Sequence, residues 1–154
     1  MAIKRIMVLL IATVCLFSSA ALSEASPQGG PVLVKGDGYV IWIQSLELNT
    51  TDDGSMSLSV NVWVHNTTEY ELEIGIEEVT INGAEFISDG LRNCGTGDYP
   101  WNFWVWSEDG YTAIQREALY NPRTFSALLE IYEGYNWELL STQRVMIDLA
   151  HLSY

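Results

Sequence analysis

The stretch Met56–Phe86 constrains the fold most, because apolar and polar residues alternate along it almost without interruption. Its first segment places four aliphatic residues two positions apart: Leu58, Val60, Val62 and Val64. Successive side chains of a β-strand point to opposite faces, so this spacing predicts a half-buried strand with its aliphatic face in the core. The pattern repeats from Tyr70 to Ile81. Asn82-Gly83 then predicts a two-residue hairpin turn, since both residues tolerate positive φ.

The rest of the chain supplies further short strands. We predict strands at Tyr39–Leu48, Trp101–Trp106, Thr124–Tyr132 and Trp137–Leu149, with a short edge strand at Val32–Val34. Tyr111–Tyr120 fits either two helical turns or a strand, and Ser88–Pro100 is predicted to be the longest loop. Seven to nine short strands, with turns about every ten residues and no strand–helix–strand spacing, are typical of an all-β domain. The expected fold is a two-sheet antiparallel sandwich of immunoglobulin-like size.

The N-terminus has the features of a secretory signal peptide. Lys4 and Arg5 precede an apolar run, Ile6–Phe17, and small residues follow at Ser18–Ala21. This order predicts a signal peptide over residues 1–25, a flexible lead-in over 26–38 and a β-sandwich domain over 39–154. The alternative is an uncleaved anchor, since the apolar run approaches the ~20 residues of a membrane span. After cleavage we expect a secreted protein that does not contact the membrane.

Charge and cysteine content restrict the partners. Beyond residue 25 the sequence keeps 19 of its 20 acidic residues and 5 of its 7 basic residues, a net charge of −14. Such a surface repels phosphate backbones and anionic lipid headgroups, which argues against nucleic-acid and membrane binding. Cys94 is the only cysteine beyond the predicted signal peptide, so no intrachain disulfide can form there. We expect it to be buried and inert, or else to link a homodimer through an intermolecular disulfide.

Several segments resemble small immunoglobulin-like domains of secreted bacterial and archaeal proteins, many of which have no assigned function. They are the strand and Asn-Thr turn of Val60–Thr68, the hairpin at Asn82-Gly83, and the strands Phe125–Tyr132 and Val145–Leu149. The resemblance covers Leu46–Leu149. It implies an extracytoplasmic accessory or interaction domain, and it implies no catalytic residues.

The sequence contains no arrangement of residues with catalytic or metal-binding roles. His65 and His151 lack other ligands at metal-site spacing, and Asp52–Gly54 lacks the remainder of a calcium loop. We therefore expect no enzymatic activity, no cofactor and no metal. Asn49 and Asn66 begin N-x-T sequons and are candidate glycosylation sites, although Asn and Thr also favour turns for conformational reasons alone.

Six aromatic residues fall between positions 99 and 111 and form the main candidate site. A strand through them places Trp104 and Trp106 on one face and Trp101 on the other. An outward tryptophan pair, flanked by Tyr99 and Tyr111, would form an apolar platform for a partner. The alternative is that these rings complete a second cluster of core residues.

Three functions fit these observations. The preferred one is a secreted, non-catalytic domain that binds another protein through this aromatic patch. The second is a carbohydrate-binding module, in which the rings stack on sugar while Asn102, Asp98 or Glu108 bind hydroxyl groups. The third is a structural subunit of the cell envelope, with Cys94 as a candidate link between copies.

Overall fold

Nine antiparallel strands and one short helix make up the described part of the chain, residues 30–152, in a computed structural model. The predicted signal peptide and the first residues of the lead-in lie outside the described residues. The strand content confirms the prediction of an all-β antiparallel domain. The elements are β1 (Val32–Gly36), β2 (Tyr39–Thr50), β3 (Met56–Asn66), β4 (Leu72–Ile81), β5 (Ala84–Ser88), β6 (Leu91–Cys94), β7 (Gly97–Trp106), α1 (Ala113–Tyr120), β8 (Thr124–Glu133) and β9 (Glu138–Asp148).

The strands form one hydrogen-bonded path in the order β1-β2-β3-β7-β5-β4-β8-β9, with β6 beside β4. The short strand β5 connects the two halves, because it pairs with β4 through the hairpin and with β7 through Ile87 and Ser88. The path curls until its two ends approach each other. There the Gln143 side chain of β9 donates a hydrogen bond to the Lys35 carbonyl of β1 at 3.0 Å. The sheet is therefore nearly closed around its core.

The core lies where the predicted aliphatic faces meet. All four predicted aliphatic side chains of β3 are buried, and Leu72, Ile74 and Ile76 of β4 are buried opposite them. Phe103 of β7 and Phe125 of β8 lie in an edge contact, with ring centroids 6.2 Å apart. Because β7 and β8 are not neighbours in the sheet, this contact packs one half of the sheet onto the other across the core.

The hairpin after β4 forms as predicted, and a bulge precedes it. Asn82 and Gly83 have φ of 51° and 79°, the conformation of a two-residue turn that matches the twist of its strands. Within β4, Glu78 has φ of 49° and lies where the pairing with β8 shifts register. The extra residue reverses the alternation, so Val79 and Ile81 return to the core.

One loop prediction was wrong. The predicted loop Ser88–Pro100 contains β6 and the start of β7, because Leu91 and Cys94 are buried beside β4. There burial against a distant strand overrides the glycine content that favours a loop. The edge strand predicted at Val32–Val34 is confirmed as β1, in which Leu33 and Val34 are buried.

The ambiguous segment after β7 is helical. Thr112 caps α1 by accepting a hydrogen bond from the Gln115 backbone, and the Gln115 side chain accepts one from the Thr112 backbone. This reciprocal pair is a strong local signal for a helix start. The helix buries Ala118 and Leu119 against the strands and ends before Pro122. Within residues 30–152 no helix has the length and apolar character needed to cross a bilayer.

Candidate functional site

The outer surface of β2, β3 and β7 carries tryptophans on the side opposite to the core. Strand register determines this placement: Trp42 lies opposite Trp63, and Trp104 lies opposite Ser59, while the residues between them point inward. We call this surface the tryptophan face. It is defined by the outward residues Trp42, Asn61, Trp63, His65, Asn102 and Trp104.

The middle of the tryptophan face is polar and flat. Asn61 Nδ2 donates to Ser45 Oγ at 3.2 Å, and Asn102 Nδ2 donates to Ser59 Oγ at 3.3 Å. These cross-strand hydrogen bonds hold two side-chain amides against the sheet. Each amide nitrogen has a second hydrogen, and each amide oxygen has two lone pairs. The result is a row of groups able both to donate and to accept hydrogen bonds.

Trp104 borders this row on one side. Its side chain is 37% exposed, and its backbone N–H donates to Asp89 Oδ1 at 2.7 Å. That hydrogen bond attaches the turn before β6 to β7. At Trp104 one edge of β7 pairs with β3, and the other edge has no paired strand. Trp63 lies four residues along β3 from the partner of Trp104, which is about 13 Å at ~3.3 Å per residue. Aromatic rings therefore lie at both ends of the polar row.

A cavity of about 740 Å³ occupies the other end of the face. Trp42 and Trp63 line it together with His65 and Asp98, whose Nδ1 and Oδ1 atoms lie 2.6 Å apart. The β1–β2 turn forms its end wall. This turn is fixed by Thr67, whose backbone N–H and hydroxyl both donate to the carbonyl of the turn's second glycine, at 2.7 and 2.9 Å.

The two indoles of the cavity are chemically unusual. Trp42 is only 5% exposed although it points away from the core, and its ring centroid lies 6.4 Å from that of His65. The indole nitrogens of Trp42 and Trp63 are both buried and have no hydrogen-bond partner among the described residues. A buried donor without a partner costs about 1–3 kcal/mol. Both residues line the cavity, so a ligand in it would contact indole surface.

Of the four aromatic residues predicted as one patch, Trp104 and Trp106 lie on the same outward side of β7, and the two tyrosines do not join them. Trp104 belongs to the tryptophan face. Trp106 is half-buried and lines a separate cavity with Tyr111, whose ring packs on the core and whose hydroxyl donates to a backbone carbonyl of β3. Tyr99 lies on the inward side of β7, and burial raises the pKa of its hydroxyl to about 12. The structure thus separates Trp104 from its predicted flanking tyrosines.

One of the two candidate glycosylation sites is inaccessible. Asn66 is buried, and its Nδ2 atom lies within hydrogen-bond distance of the carbonyls of Tyr70, Cys94 and Gly95, at 3.0, 3.2 and 3.2 Å. A glycan on this nitrogen would replace those hydrogen bonds, which corrects the expectation for Asn66. Asn49 is only partly buried and remains a candidate.

The environment of Cys94 confirms the expectation of a buried cysteine and removes the alternative of an intermolecular disulfide. Its side chain is fully buried beside β4, and burial raises the pKa of the thiol to about 12. A protonated, enclosed thiol does not attack a partner molecule. The intermolecular disulfide therefore cannot form while the domain is folded, and Cys94 serves as a core residue.

Sequence reasoning missed two features. The first is the cavity, although the outward positions of Trp63 and His65 could be read from the alternation of β3. The second is an apolar surface at the β8–β9 hairpin. Its members are all exposed: Tyr135, Trp137, Leu139 and Leu140.

Within residues 30–152 no three His, Cys, Asp or Glu side chains are grouped so that they could hold a metal ion. Comparison of the chain with known protein families, with characterised proteins and with solved structures finds no match.

Proposed function

We propose that the protein is an exported, non-catalytic domain that binds carbohydrate along its tryptophan face. Export is supported by the charged start, apolar run and small residues within positions 1–25. Among the described residues His65 is hydrogen-bonded to Asp98 and to no hydroxyl or thiol that it could activate, which supports binding without catalysis.

One observation carries the proposal: a row of side-chain amides and hydroxyls lies between exposed Trp104 and the indoles of Trp42 and Trp63. Sugar rings combine an apolar C–H face with hydroxyl edges that donate and accept hydrogen bonds. Indole rings suit the first and amides such as Asn61 and Asn102 suit the second. A protein interface of ordinary size has an apolar centre, whereas the centre of this face is polar.

The scaffold we propose for this site is an immunoglobulin-like sandwich of two sheets. One sheet would be β1-β2-β3-β7 and the other β4-β8-β9 with β6. Two observations support it: β5 joins β7 through only two residue pairs, and Phe103 packs on Phe125 between the halves. Facing sheets of this kind leave the outer surface of each sheet available for binding.

Binding of purified protein to a panel of immobilised neutral polysaccharides, with affinity then measured by calorimetry, tests the proposed function. Trp104→Ala should weaken binding about tenfold, because loss of ring stacking removes ~1–1.5 kcal/mol. Trp137→Ala is the matched control, since Trp137 is also exposed, at 67%, but lies on the β8–β9 surface. Equal loss in both variants, or binding to no glycan by the unaltered protein, would contradict the proposal.

A second candidate function is the binding of another protein through the β8–β9 surface. Protein binding is the function that the sequence analysis preferred, here placed on a different surface. Its support is the exposed apolar group around Trp137 and Leu139. Glu133 and Glu138 border this surface, so a partner with basic residues would complement it. Leu139→Asp should abolish binding of such a partner and leave glycan binding unchanged. Loss of both would show that the variant disturbs the fold.

A further inference from the structure

The cavity occupies the end of the tryptophan face, where the β1–β2 turn forms a wall on one side of it. The β1–β2 turn contributes Gly36 and Gly38 to the cavity lining. Thr67 holds this turn by two hydrogen bonds to the Gly38 carbonyl, so the wall is attached to the end of β3. A linear ligand that lies along β3 from Trp104 would meet this wall after passing Trp63.

The lining of the cavity combines aromatic and polar groups. Trp42 and Trp63 both contribute to it. Asp98, paired with His65, supplies carboxylate oxygens at the rim, where its side chain is about three-fifths exposed (60%). An indole ring suits the apolar C–H face of a sugar, and a carboxylate accepts hydrogen bonds from its hydroxyls. The cavity therefore offers both kinds of contact that one sugar ring makes.

We propose that this cavity holds the terminal residue of a glycan, so that the domain recognises chain ends and not the chain interior. The proposal rests on the proposed function, since it specifies which part of a carbohydrate the tryptophan face binds. The terminal ring would lie in the cavity beside Trp63 with Asp98 at its rim, and the following residues would lie over Asn61 and Asn102 toward Trp104.

The number of protein molecules bound per glycan chain tests the proposal directly. Calorimetry with short cello-, manno-, xylo- and chito-oligosaccharides identifies a sugar that binds, and long soluble polymers of the same sugar are then titrated. If the cavity holds a chain end, one protein binds per chain at every length. Stoichiometry that rises with chain length would overturn the chain-end proposal while leaving carbohydrate binding intact. Absence of binding to all these sugars would instead overturn the proposed function.

Two substitutions test the groups assigned to the terminal ring. Trp63→Ala removes a partly buried ring that lines the cavity, so it should weaken oligosaccharide binding by the folded protein about tenfold. Asp98→Asn alters an exposed rim carboxylate and should weaken binding by a similar factor. Trp137→Ala again serves as control. Unchanged affinity in both cavity variants, with affinity lost in Trp104→Ala, would place the ligand on the open face and overturn the proposal.

Discussion

Replacement of Asn66 by Ala should destabilise the domain by about 4 kcal/mol, because this buried side chain connects the end of β3 to two other segments. Its Nδ2 atom lies 3.0–3.2 Å from the carbonyls of Tyr70, Cys94 and Gly95. Its Oδ1 atom accepts from the Thr68 backbone N–H at 3.0 Å and from the Thr68 hydroxyl at 2.7 Å. An amide nitrogen has two hydrogens, so two donated bonds form fully at one time. Four bonds at about 1 kcal/mol each give the expected loss.

Urea denaturation followed by tryptophan fluorescence measures this loss, and the melting temperature should fall by roughly 10–15 °C for a domain of this size. The matched control is Asn49→Ala, the other sequon asparagine. Its side chain makes one exposed hydrogen bond, to the Glu47 carbonyl at 3.1 Å, so its removal should change stability by less than about 0.5 kcal/mol. A loss of under about 1 kcal/mol for Asn66→Ala would refute the reasoning, since it would mean that water replaces the amide.

Three further predictions concern other residues. Cys94 should resist thiol reagents at about pH 8 in the folded protein and react rapidly in urea, because burial raises its pKa to about 12; rapid labelling of the folded protein would contradict this burial. A hydrogen bond from Thr51 is the main cause that lowers the pKa of Asp53 to about 2. The ionised Asp53 carboxylate therefore stabilises the fold above the ordinary carboxyl pKa, and this stabilisation is lost as the pH falls through about 2. Carbon-detected NMR titration should find that Thr51→Val moves this pKa back toward the ordinary range. Asn82→Ala should lower the free energy of unfolding by about 2–3 kcal/mol, since Asn82 has φ of 51° and its side chain accepts hydrogen bonds from two backbone N–H groups, and urea denaturation measures that loss.

The features that the sequence could predict are those decided within a few residues of the chain. The alternation of Met56–Asn66 determines which side chains face the core, and the turn at Asn82-Gly83 depends only on two residues that tolerate positive φ. The capping pair of Thr112 and Gln115 is equally local, and it could have distinguished helix from strand after β7. Each of these signals acts before any long-range contact forms.

The short strands depend on contacts that local sequence does not encode. Leu91 and Cys94 form β6 because β4 lies beside them and they are buried there. The same explanation applies to Asn66, which as a local motif is the start of a sequon but in the fold is a buried hydrogen-bonding group. A sequon marks a glycosylation site only where its asparagine is accessible, and here the segment around Cys94 covers Asn66.

Trp42 illustrates why the site could be predicted only in part. Alternation along β2 assigns it to the outer face, where a large side chain on an open sheet would be exposed, yet it is almost completely buried. The His65 ring 6.4 Å away and the β1–β2 turn held by Thr67 form the enclosure around it. An outward residue that is buried without belonging to the core must line a cavity built by the chain itself. Strand periodicity predicts which face of the sheet such a residue lies on. Whether the residue is enclosed depends on how a neighbouring turn folds over that face, and only the tertiary structure shows this.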